Sequence, residues 1–276
     1  MDELQELVER TLEIPSVPRV YVQIEEVMNR PDSSMSEVVK ILEGDPGLAV
    51  RCLRVANSAL YARRQPCSSI KQAVTLLGVR TLRDIALHAS LVVAYQGVAR
   101  YERFDLQRFW KHGAATGHVA RQLTALPGFR GVTPDTAAVC GLVHNIGRLT
   151  MLDAFRNPYL DVIVPCGSRG HASLQAEGEA FGFDHAVVGG VLAEKWNLSP
   201  ELVAATRDHH RSTKEQAPVA NLVAIAGEVA HAMLETGIDG AKRRLSAPDV
   251  AAAGMTPARV EAIAESLAGA AATSGV

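Results

Sequence analysis

Apolar residues recur at three- and four-residue spacings along almost the whole chain, the signature of helices that each bury one face. Polar caps punctuate the pattern. Ser34-Met-Ser-Glu37 is a capping box opening a helix that Gly44 closes. Asp45 then caps a new helix with Pro46 in its first turn, and Leu48, Cys52, Leu53, Val55, Ala56 and Leu60 form its apolar stripe. Ser69-Ile-Lys-Gln72 is a second capping box, and Gly78 stops that helix after Leu77. A longer helix follows from Thr81 to about Tyr95, with Leu82, Ile85, Ala86, Ala89 and Val92 on its apolar side.

Asp105 opens a helix carrying Phe109, His112, Thr116 and Leu123, which Pro127 and Gly128 close. Thr133 and Pro134 begin the helix that delivers His144. Asp184 caps a helix starting at His185, and Ser199 and Pro200 start another that ends in His209 and His210. Residues 219–234 are nearly all apolar, so their helix should lie deep in the core. Residues 241–276 are Ala-rich, with one helix expected near 257–268 and a loose end at 271–276. No segment alternates with the two-residue period of a strand, and no internal repeat is present. The pattern predicts an all-α, two-lobed protein. A polar stretch at 96–102 joins an N-terminal helical lobe (1–100) to a second lobe (101–240), and an Ala-rich helix and tail (241–276) follow.

Composition adds limits rather than detail. A hydrophobic fraction of 47% over 276 residues suffices for a sizeable core, and few aromatics among many Ala, Val and Leu favour closely packed helices. The net charge of −2 gives no global reason to expect nucleic acid or a membrane surface as partner. Cys52, Cys67, Cys140 and Cys166 are scattered without CxxC or Cys/His zinc spacing, which excludes a disulfide framework and predicts reduced thiols. The acidic, amphipathic N-terminus is unlike a signal peptide, and no apolar run approaches the ~20 residues of a membrane span. A cytoplasmic location is expected.

Two groups of motifs carry a family resemblance. The first lobe holds Asp45-Pro-Gly-Leu48, Arg54-Val-Ala-Asn-Ser-Ala-Leu-Tyr61 and Ser69-Ile-Lys-Gln-Ala-Val-Thr-Leu-Leu-Gly78. The second holds Phe109-Trp-Lys-His112, Gly141-Leu-Val-His-Asn-Ile-Gly147, Glu177, Gly182-Phe-Asp-His-Ala-Val-Val-Gly189, Trp196 and His209-His210. Over about residues 10–235 the chain resembles an HDOD domain, a branch of the HD superfamily. The resemblance implies a helical bacterial signalling protein, used with response-regulator or cyclic-di-GMP modules as partners. The chain shows no receiver, kinase or cyclase segment, so its signal input is expected from a separate molecule.

Active HD enzymes bind metal through a first histidine, a His-Asp pair and a later aspartate, with extra histidines in two-metal versions. By position, the resemblance places the first histidine at His112 and the pair at His144 and Asn145. It puts extra ligand positions at His185, His209 and His210, and the later aspartate at Gly227. Glu228 is adjacent, but one residue along a helix turns a side chain by about 100°. Both carboxylate positions are therefore degenerate. An amide oxygen carries no formal charge and is a poor substitute where divalent cations must be held. Histidines alone could hold one zinc, but they suit Mg²⁺ or Mn²⁺ poorly. The ordinary alternative is that they are remnants of an ancestral site, hydrogen-bonding between helices. No cofactor is expected, and a divalent metal enters only with a residual metal-dependent phosphohydrolase.

Other residues have blander readings. His88, His118, His171 and His231 match no motif and are read as surface or helix-packing residues. Trp110 and Trp196 are read as core anchors, and Glu177 either as support for the histidines or as a solvated position. Between Pro46 and Arg83 the basic residues Arg51, Arg54, Arg63, Arg64, Lys71, Arg80 and Arg83 occur without one acid. That excess makes a candidate face for an anionic ligand or an acidic partner, although a solvated helical surface is the commoner cause of a charge run. Residues 69–87 have a faint helix–turn–helix look, which keeps nucleic-acid binding as a lesser alternative. The chain is accordingly expected to be a non-catalytic signalling module that binds a protein partner or a small anionic ligand.

Overall fold

The structure is a computed structural model that describes residues 3–12, 15–61, 66–166, 170–211 and 217–273. Among these there is no strand. The first six helices are α1 (Glu3–Thr11), α2 (Arg19–Met28), α3 (Met35–Glu43), α4 (Pro46–Ala56), α5 (Ile70–Leu77) and α6 (Val79–Ala94). The local caps act as the sequence predicts at α4, where Leu48 N donates to Asp45 Oδ1 at 2.9 Å, and at α5, where Gln72 N donates to Ser69 Oγ at 3.2 Å. α3 starts where expected, yet Ser34 makes no cap bond to the helix backbone and instead meets Ser36 and Glu37 through its hydroxyl.

α6 is the pivot of the first half. Leu82, Ile85, Ala86, Leu87, Ala89 and Leu91 are buried along it, and it packs on α2, α4 and α5. Arg83 is buried there too, paired with Glu25 and Asp84 and lying over the Tyr21 ring. Within residues 79–87 of α6 only Arg80 is exposed, which leaves the suggested helix–turn–helix at residues 69–87 without an open recognition face. Short 3-10 turns over Gln96–Arg100 and bends to Asp105 link α6 to the next helix.

The second half contains α7 (Leu106–Leu123), α8 (Pro134–Val143), α9 (Ile146–Phe155), α10 (Asn157–Ile163), α11 (Gly170–Phe181), α12 (His185–Lys195) and α13 (Pro200–Asp208). α14 (Pro218–Leu245), α15 (Pro248–Ala252) and α16 (Pro257–Thr273) complete the chain. α7 lies against α8 and α14, while α12 lies against α9 and α13. One apolar core runs through both halves, from Val8 to Leu267. Trp196 is buried in it, and its Nε1 donates to Pro15 O at 2.8 Å, tying the N-terminal segment to α12. Trp110 is half-buried against the same core.

The C-terminal region is more ordered than its composition predicts. α14 extends past the expected Leu234 and breaks at Gly237, whose φ of 70° and ψ of −159° lie outside the helical region. Glycine alone adopts that geometry without a Cβ penalty. The expected helix near 257–268 is present as α16 and runs on to Thr273; residues 274–276 of the expected loose end lie outside the described residues. No helix of the described residues is long and apolar enough to cross a membrane.

Candidate functional site

Five helices converge on the histidines. His112 sits in mid-α7, and His144 ends α8. Asn145 occupies the corner before α9, with φ −95° and ψ 13°. His185 opens α12, fixed by Asp184, whose Oδ1 accepts from Ala186 N at 2.8 Å and Val187 N at 2.9 Å. His209 ends α13, and His210 follows it. Glycines around the His144-Asn145 corner let the helices touch. A Cβ at Gly141 would come within 2.5 Å of Gly117 on α7, and one at Gly147 would overlap the His185 carbonyl.

The rings form a chain: His112 to His144 at 5.4 Å between centroids, His144 to His209 at 4.9 Å, and His209 to His210 at 4.1 Å. His185 completes it, 5.1 Å from His210 and 5.7 Å from His209. Three Nδ1 atoms face fixed acceptors: His144 to Gly141 O at 2.8 Å, His209 to Thr206 O at 3.1 Å, and His185 to Glu177 Oε2 at 2.7 Å. Those acceptors put the proton on Nδ1 and leave each Nε2 as a lone pair directed into the site.

Glu177 is fully buried and supports His185 twice, since His185 N also donates to Oε2, at 2.9 Å. Tyr159 OH donates to its other oxygen at 2.7 Å. Of the two sequence readings of Glu177, the buried support is the one realised. Burial opposes its charge, but His185 and Arg148 hold its carboxyl below the usual range. Burial likewise lowers the basicity of four of these rings. His144 is pushed down to about 4, and His112, His185 and His209 are lowered as well. These four rings are neutral at physiological pH.

Asn145 lies between two lone pairs. Its Nδ2 donates to His144 Nε2 at 2.7 Å, while its Oδ1 faces His209 Nε2 at 3.3 Å. Turning the amide over only exchanges which histidine faces oxygen, so one amide satisfies one of the two. At Gly227 the space for a side chain exists, because an added Cβ would meet nothing nearer than His144 Nε2 at 3.8 Å. The carboxylate itself is missing, and Glu228 is engaged by Arg244 instead. A carboxylate-bridged metal pair therefore does not fit these residues. A single nitrogen-preferring ion does fit: one ring nitrogen each from His185, His209 and His210 lies within 4.8 Å of the others. Such an ion would act as a Lewis acid; the chain's own part is to present neutral nitrogens and, through Glu177, to orient His185.

His112, His144, Asn145, His209 and His210 line a cavity of about 560 Å³, with His185 and Glu177 buried behind them. Arg103, Arg108, Arg148, Arg211 and Arg244 also line it. Four of the five are paired with acids: Arg103 with Asp161, Arg108 with Glu235, Arg211 with Asp208, and Arg244 with Glu228 and Asp249. Arg148 differs. Its Nη2 donates to Ser173 Oγ at 2.7 Å and its Nε to His185 Nε2 at 3.4 Å, and no carboxylate among the described residues pairs with it. Sequence reasoning gave no role to Arg148 or Arg108 and read His231 as a surface or packing residue, yet all three line the cavity. A spacing signal was available. Arg108 stands four residues before His112 and His231 four after Gly227, each one helical turn away, whereas Arg148 is separated from His144 by the corner at Asn145.

The basic run of the first lobe lies elsewhere. Arg54, Lys71 and Arg80 are exposed and Arg51 is half-buried, but none lines the histidine cavity. Arg83 belongs to the core, its charge matched by Glu25 and Asp84 from outside the acid-free run, and so is lost to any anion-binding face. Arg63 and Arg64 lie outside the described residues. His88 is buried edge-on to Trp110, and His118 joins α7 to α16 by a 2.9 Å bond to Ser266 Oγ, both packing roles as expected.

Comparison with known proteins matches this architecture. The HDOD domain model covers residues 14–212, ending short of Gly227. A solved Shewanella amazonensis SB2B protein, whose name carries a provisional phosphohydrolase assignment, is 28% identical with a TM-score of 0.73, over 96% of this chain and 93% of its own. A Geobacter sulfurreducens HDOD domain protein of unknown function is 23% identical with a TM-score of 0.70, over 98% of this chain and 95% of its own. An uncharacterized protein of Treponema pallidum (strain Nichols) is 25% identical over 80% of this chain, which spans only 42% of that relative's length. With the family model matched over residues 14–212 and a shared helical fold, the chain belongs to the HDOD family.

Proposed function

We propose that this chain is an HDOD signalling module that uses the cradle of a metal phosphohydrolase as a pocket for a small anionic ligand, without turning phosphoesters over. One observation carries the reading. The cavity at the histidines has no carboxylate at Asn145 or Gly227, and it presents the guanidinium of Arg148, which makes no ion pair among the described residues. Neutral rings, two absent carboxylates and a retained arginine make the site's floor favourable to an anion and unfavourable to a carboxylate-bridged metal pair. Ser173 and His185 hold the guanidinium in place, so its ordering cost is met before the ligand arrives.

Inorganic pyrophosphate titrated calorimetrically into metal-free protein tests this. Binding should weaken as salt rises, and an Arg148→Ala variant should lose at least about tenfold in affinity, as expected for a charge-assisted hydrogen bond. No binding, or binding that ignores Arg148, would contradict the reading.

A second reading draws on the converging lone pairs of His185, His209 and His210: a residual phosphohydrolase working with a single ion. It predicts metal-dependent turnover that a His144→Ala variant loses.

A further inference from the structure

Beyond the residues that the family model matches, the chain doubles back over the histidine cavity. Glu228 and Arg244 are 16 residues apart, so an unbroken α14 would hold them about 24 Å apart. The break at Gly237 reverses that outcome and brings Arg244 Nε onto the Glu228 carboxylate. The same guanidinium forms a two-pronged pair with Asp249 in the first turn of α15, Nη1 to Oδ1 at 3.1 Å and Nη2 to Oδ2 at 2.8 Å. All three side chains line the cavity that contains His144 and Arg148.

The returning segment is fastened at its far end. Gly128 N donates to Ala253 O at 3.1 Å, Arg259 Nη1 donates to Ala125 O at 3.0 Å, and Lys242 pairs with Glu261 on α16. Its near end is packed into the core through Leu245 and Val250 and carries the ion triad on its cavity side. There the two carboxylates are about half exposed, whereas Arg244 is four-fifths covered. Ion pairs this exposed are weak and exchange partners readily. The triad carries one positive and two negative charges, so it both occupies the guanidinium and opposes an approaching anion.

We propose that the Glu228–Arg244–Asp249 triad is an autoinhibitory clasp on the cavity. An anionic ligand displaces the Asp249 carboxylate from Arg244, and the affinity of the pocket is set by that exchange. The proposal rests on the anion-pocket reading above and adds its regulation by residues 238–252.

The test uses full-length protein and inorganic pyrophosphate, measured calorimetrically, with thermal unfolding confirming that each variant is folded. Asp249→Asn keeps the shape and the capping potential of the side chain but removes its charge, and it should bind about two- to fivefold more tightly than wild type, as expected for the loss of one competing half-exposed ion pair. Arg244→Gln should bind more weakly than Asp249→Asn and no more tightly than wild type. Binding that depends on Arg148 but is the same in wild type, Asp249→Asn and Arg244→Gln would overturn the clasp while leaving the pocket standing. Binding absent from all forms, Asp249→Asn included, would overturn the clasp and the pocket together.

Discussion

Burial holds His88 in its neutral form, with a pKa pushed down to about 4, and its ring stands edge-on to Trp110 at 5.5 Å. The unfolded chain titrates this group near its ordinary value of about 6.5. Between those two values the unfolded state binds a proton that the native state refuses. The contribution is therefore fully present above pH ~6.5 and is lost as pH falls towards 4. It amounts to about 2 kcal/mol between pH 7.5 and pH 5. Urea unfolding at those two pH values should show a smaller loss in His88→Phe, which keeps an aromatic against Trp110, than in wild type. An equal loss in both would contradict the assignment. At this scale the sequence was informative wherever a residue type has few buried uses. The histidines and missing carboxylates could be placed from motifs, and Glu177 was a candidate. Arg148 was not singled out, because nothing local says that an arginine on an amphipathic helix faces a cavity instead of water.

Helix contact in this fold is set by where side chains are absent. α9 and α12 meet at Gly147 so closely that a Cβ would overlap the His185 carbonyl. Gly147→Ala should cost on the order of 3 kcal/mol, because both partners are backbone and neither can swing aside. Gly227 is the opposite case. Its added Cβ would meet nothing closer than 3.8 Å, so Gly227→Ala should be neutral or up to about 1 kcal/mol stabilising through helix propensity. Denaturant midpoints of the two variants check this, and a reversed order would contradict the packing described. Helix starts such as Asp45, Asp105, Thr133 and Asp184 were legible because a cap is a bond between near neighbours. α15 was not, since it opens at Pro248 without a capping side chain. The reversal at Gly237 was not either, because its partner Glu228 lies beyond any local window.

As a whole, the molecule assembles its candidate site from positions spread between Arg103 and Asp249, on elements that only the fold brings together. The all-α class followed from periodicity and caps alone. That the histidines would meet came from the family resemblance, not from any spacing in the chain. The basic face read from the first lobe rested on counting charges within a window, and such a count cannot see that Arg83 is neutralised from α2 and by its own neighbour Asp84. The concentration of arginine at the histidine cavity arises from five separate segments and leaves no run to detect. On the reading proposed above, these features form an HD-type cradle that keeps nitrogen donors and an arginine for an anion but lacks the two carboxylates. Hydrolysis of a generic phosphodiester and of cyclic dinucleotides, measured with Mg²⁺, Mn²⁺ or Fe²⁺ added, tests that account most directly. It predicts no turnover above the rate of a His144→Ala variant; robust metal-dependent turnover that His144→Ala abolishes would contradict it.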